Sequence, residues 1–88
     1  MELAPEQCRA ARGLLDWTQE HLAERAGVSR STVRDFERHR HVLHRGTETL
    51  LINTLQEAGI MLLPPGEFGP GVRIRSGVGQ DPGAHCPS

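Results

Sequence analysis

The 88-residue chain has no Lys, no Tyr, one Trp and two Phe. With so few large rings, a core must be assembled from Leu, Val, Ile and Ala. All ten cations are Arg, whose planar guanidinium suits bidentate contact with phosphate or guanine and whose exclusive use hints at a GC-rich genome. No run of about 18 apolar residues exists to cross a bilayer. The N-terminus carries Glu2 and Glu6 in place of the basic stretch of a secretory signal. A cytoplasmic protein with no membrane partner is expected. Cys8 and Cys86 lie at opposite ends, the latter among Gly and Pro, so both read as free thiols. Nucleophile elbow, glycine-rich phosphate loop and paired carboxylates are missing too, so no catalytic residue is expected and the chain reads as a non-enzyme. His39, His41 and His44 cluster in sequence but lack a CxxC or HExxH frame, so neither a metal ligand nor a cofactor is predicted.

What is present is ordinary globular material, 36% hydrophobic and 24% charged, enough for one small domain. The net charge of -1 argues against nucleic acid until its distribution is read. Residues 29–45 hold Arg30, Arg34, Arg38, Arg40 and Arg45 against Asp35 and Glu37, with His39, His41 and His44 able to add charge on an anionic surface. The acidic residues collect before and after that segment.

Pro5 suits a first helical position, and Cys8, Ala11, Leu14 and Leu15 recur on one face of a helix ending near Asp16, with Ala4 a poor cap. Thr18 caps a short second helix through Arg25 with Leu22, Ala23 and Ala26 inward, stopped by Gly27. Ser29 caps a third helix, with Val33 and Phe36 inward and Arg30, Ser31, Arg34 and Asp35 outward. Residues 39–46 read as a loop. Thr47 or Thr49 opens a fourth helix whose Leu51, Thr54, Leu55 and Ala58 close the core before Gly59. Residues 60–63 and the alternating VRIR at 72–75 predict a β-hairpin, and the Gly- and Pro-rich residues 76–88 a disordered tail.

Residues 18–38, TQEHLAERAGVSRSTVRDFER, resemble the helix-turn-helix of the lambda-repressor and Cro-like family. Leu22, Val28, Val33 and Phe36 fill the space between its helices, Ala23 allows their close crossing and Gly27 the left-handed turn. The fold class so implied is mainly α, a four-to-five-helix DNA-binding domain over residues 1–59 with a short C-terminal hairpin at 60–75. The family pattern also pairs an Arg in helix one with a Glu late in the third helix, which implies a structural salt bridge between Arg12 and Glu37. Two positions depart from it: His39 stands where relatives often have Gly, and His21 where many have Glu.

The resemblance implies a bacterial regulator of transcription that binds double-stranded DNA, nucleoid-associated when bound, with its third helix in the major groove. Ser29, Arg30, Ser31 and Asp35 are the implied base readers, and Arg34 can reach a base or a phosphate. Arg30 is preferred for guanine, and Asp35 is open between a cytosine contact and an ion pair with an adjacent Arg. Thr18, Gln19, Thr32, Arg38 and Arg40 are the implied phosphate contacts. For Arg40 and Arg45 a solvated loop charge is the equal alternative, and Trp17 reads as a core plug in preference to a base stacker. With little chain outside this unit, promoter occlusion by a repressor is expected. A homodimer reading a palindrome is expected as well, with Ile60, Leu62, Val72 and Ile74 offering an interface or, alternatively, packing on helix four. The rival reading is a protein-interaction adaptor or antitoxin component that retains a helix-turn-helix.

Overall fold

The structure is a computed structural model that describes residues 2–40, 42–64, 66 and 69–75. Predictions that fall on His41, Cys86 and the tail at 76–88 lie outside these residues. Four helices, α1 (Pro5–Leu15), α2 (Gln19–Ala26), α3 (Arg30–Glu37) and α4 (Arg45–Glu57), precede the strands β1 (Ile60–Leu63) and β2 (Gly71–Ile74). The mainly α chain with its C-terminal hairpin matches the fold class read from the sequence.

Pro5 opens α1, and the weak cap Ala4 is compensated because Gln7 Oε1 accepts the Ala4 N–H at 3.0 Å. Asp16 closes the helix in the left-handed region at φ 58°, a conformation that Asp tolerates better than most side chains. Thr18 Oγ1 then accepts from His21 N–H at 3.0 Å to cap α2. Gly27, at φ 77°, ends it in a Schellman closure in which Val28 N–H returns to the Ala23 carbonyl at 3.0 Å. Ser29 at once caps α3, accepting from Thr32 N–H at 3.2 Å.

The end of α3 repeats that closure without glycine. His39 N–H bonds Phe36 O at 3.0 Å, Arg40 N–H bonds Asp35 O at 2.8 Å, and His39 sits at φ 61°. The turn therefore has the shape Gly would give it, at a cost of about 1–2 kcal/mol for a side chain held in the left-handed region.

Helix α4 begins at Arg45, with His44 at its cap, two to four residues before the predicted Thr47 or Thr49. Gly46 and a cap with no side-chain hydrogen bond hid this start. Packing decides it: Leu43 lies against the core and delivers the chain into the helix. Thr49 is already interior, its hydroxyl donating back to Arg45 O at 2.9 Å.

The core joins Cys8, Ala11 and Leu15 of α1 to Leu22, Ala23, Val33, Phe36, Leu51 and Leu55, and Ile60 and Leu62 of the hairpin belong to the same cluster. Leu14, read as inward, is instead 42% exposed. The strands pair antiparallel with Ile60 opposite Ile74 and Leu62 opposite Val72. That face packs on α1 and α4, with Val72 and Ile74 partly buried against the core. The apolar residues considered for an interface are thus used within the chain. Gln7, almost fully buried, fastens the hairpin by donating Nε2 to Leu63 O at 2.7 Å and Gly71 O at 3.0 Å.

Candidate nucleic-acid interface

A buried carboxylate holds the three N-terminal helices in register. Glu37, at the end of α3, is 2% exposed. Its Oε2 accepts from Arg12 Nε at 2.8 Å and from the Cys8 thiol at 3.1 Å, and its Oε1 accepts from an Arg12 terminal nitrogen at 2.6 Å and from Gln19 Nε2 at 3.1 Å. Arg12 also donates to the Trp17 carbonyl at 3.0 Å, pinning the link between α1 and α2. Burial would push the Glu37 carboxyl up, but the hydrogen bonds from Arg12, Gln19 and Cys8 and the Arg12 charge outweigh it and hold it below its ordinary value of 4.5. The Arg12 guanidinium is raised chiefly by its hydrogen bond to Glu37. The Cys8 thiol is pushed far above its ordinary value of 9.0 by burial and then by the charge of Glu37.

The Arg12–Glu37 bridge is thus a bidentate pair. Neither composition nor periodicity implies the hydrogen bonds that Cys8 and Gln19 donate to Glu37. The signal available was positional, since Cys8 lies one turn before Arg12 on the same helical face. Gln19, expected to present its amide outward, turns Nε2 inward to Glu37. Its backbone N–H stays at the open start of α2, where the helix dipole favours an anion.

The predicted base readers lie on the outward face of α3 or at its cap. Arg30 and Ser31 are exposed, Arg34 and Asp35 partly so. Ser29 is exposed but its hydroxyl serves as cap and lies 2.7 Å from Thr32 Oγ1 and 3.2 Å from Ser31 Oγ. Thr18 is likewise occupied as a cap, and Thr32 is partly buried. Arg34 Nε lies 3.3 Å from Asp35 Oδ1, the ion-pair alternative for Asp35 in the free protein. Arg38, the last-turn cap of α3, and Arg40 are exposed beyond it. Trp17 packs against the core, meets His21 edge-on at 4.8 Å and lies 5.1 Å beneath the Arg25 guanidinium. Its ring is therefore sandwiched and does not stand ready to stack on a base.

Among the described residues no group of three His, Cys, Asp or Glu side chains is placed to hold a metal ion, and no helix is long and apolar enough to cross a membrane. No curated protein matches the chain. The helix-turn-helix family model matches residues 9–41, from within α1 to just past the end of α3. The capped helices α2 and α3, the glycine turn between them and this match show that residues 9–41 are similar to the helix-turn-helix of the lambda-repressor and Cro-like family, which supports a helix-turn-helix that binds double-stranded DNA.

Proposed function

We propose that the chain is a repressor that recognises a palindromic operator as a homodimer and occludes a promoter. The observation that carries this reading is the basic, outward face of α3, held rigid by the buried Glu37 network that ties it to α1 and α2. Arg30 is the principal specificity residue, donating two parallel hydrogen bonds to guanine O6 and N7. Ser31, Arg34 and Asp35 read neighbouring base edges, with Ser29 fixing their helix. Thr18, Gln19, Thr32, Arg38 and Arg40 set the protein on the phosphates, and the Gln19 backbone N–H does so with its side chain steadied by Glu37. The site of action is the bacterial chromosome in the cytoplasm.

Dimerisation uses an outer strand edge of the hairpin, because its apolar face is turned to the core. Arg75 N–H bonds Gly59 O at 2.8 Å, so with the observed register Val72 and Leu62 form a non-hydrogen-bonded pair whose backbone groups point to the outer edges. Val72→Pro removes an outward donor together with a side chain that packs partly on the core, and the variant, once circular dichroism shows it folded, should be a monomer where the wild type sediments as a dimer. A variant that still sediments as a dimer places the interface elsewhere.

Selection of bound duplexes from a random pool, with wild type and an Arg30→Ala, Arg34→Ala variant compared at near-physiological salt, tests the main reading. Enrichment of half-sites about one helical turn apart, lost in the variant, supports it. Absence of enrichment by folded protein overturns it and favours the adaptor or antitoxin reading.

A further inference from the structure

Val42 is 95% exposed, an unusual setting for a β-branched apolar side chain in the middle of the most basic segment of the chain. Its position is nevertheless defined. On one side, Arg40 N–H is tied to Asp35 O at 2.8 Å. On the other, Leu43 is partly buried against the core and α4 begins two residues later, at Arg45. Val42 borders a groove of about 260 Å³ whose walls are Ser31, Thr32 and Asp35 of α3 facing Leu43, His44 and Thr47. The same groove is thus walled by the outward face of the helix that reads DNA.

We infer that Val42 is a specificity-determining residue, whose methyl groups close on the C5 methyl of a thymine beside the bases read by α3. The inference rests on the DNA-reading function proposed above. The occupant follows from charge and chemistry. Arg34, Arg38, Arg40 and Arg45 surround this stretch in the sequence and favour a polyanion, and the apolar group that duplex DNA displays in its major groove is the thymine methyl. Valine offers no hydrogen bond, so it discriminates by area alone. Burying its two methyls against a thymine methyl is worth about tenfold in affinity.

The experiment uses the whole chain and the duplex that it enriches from a random pool. Each thymine is replaced singly by deoxyuracil, which deletes the C5 methyl and keeps the pairing, and binding of wild type and Val42→Ala is measured on every duplex. The expected result is one thymine whose replacement weakens wild type about tenfold while leaving Val42→Ala unchanged, with Val42→Ala about tenfold weaker than wild type on the all-thymine duplex. Thermal unfolding of the variant should match wild type, since the side chain is exposed. Equal binding by the two proteins on all duplexes, or a deoxyuracil effect of the same size in both, overturns the assignment of Val42 alone. A pool from which wild type enriches nothing overturns the DNA-reading function and this inference with it.

Discussion

Replacing Glu37 by Gln keeps the volume of the side chain and removes its charge, at a site where four donors converge on two oxygens. The amide that replaces one oxygen is itself a donor, so it must face Arg12, together with either Cys8 or Gln19, with a proton where each of them also offers one. Breaking a buried ion pair by removing one partner costs about 3–5 kcal/mol. Arg12 keeps 20% of its side chain exposed and can recover some hydration, which puts the expected loss near the lower end, about 3 kcal/mol. For a domain of this size that corresponds to a drop in Tm of roughly 12 to 24 °C. Urea unfolding followed by circular dichroism measures it directly. The pH dependence gives a second reading of the same quantity. Because the folded carboxyl titrates below its ordinary 4.5, the stabilisation is complete above that pH and is lost as the pH falls through the lowered folded value. The stability difference between wild type and Glu37→Gln should therefore be constant from neutrality to about pH 5 and shrink below pH 4.5. A loss under about 1 kcal/mol, the range of exposed pairs, with no narrowing in acid, would refute the reasoning.

Other outcomes follow from the same geometry. His39→Gly should raise stability by up to about 1 kcal/mol in thermal melts, because it relieves the left-handed strain at φ 61° and gives up only an exposed 3.5 Å contact with Glu6. Gln7→Ala should cost about 1–3 kcal/mol and, in hydrogen exchange, speed the amides of the hairpin more than those of α3, since Gln7 is what ties Leu63 and Gly71 to α1. In a Cys86→Ser background, Cys8 should resist iodoacetamide at pH 8 at a rate set by unfolding, because the thiol is buried and its proton is held far above the ordinary value. Rapid labelling of folded protein would show that the network opens locally.

Much of the reader unit was legible because its signals are local. Thr18 and Ser29 cap helices by reaching three residues along the chain, and Gly27 permits a turn that few other residues can make. Periodicity likewise placed Leu22, Val33 and Phe36 inside. The Arg12–Glu37 pairing came from the spacing in a resembling family, and nothing local to either residue implies it.

The remainder depended on contacts between distant segments. His39 is marked as a left-handed residue only by standing where relatives often have Gly, and the closure at the end of α3 places it there. The start of α4 at Arg45 follows from Leu43 finding the core, and Gln19 turns inward because Glu37 lies within reach across the α2–α3 crossing. The hairpin residues Ile60, Leu62, Val72 and Ile74 have an alternation that specifies a face but not what covers it, and α1 and α4 decide that. Sequence by itself determined which residues form helices, caps, turns and a basic face, because those depend on neighbours a few residues away. Tertiary structure alone decided which side chains are occupied inside and which are left exposed on the surface, because hydrogen-bond satisfaction and burial are properties of segments that meet only after folding.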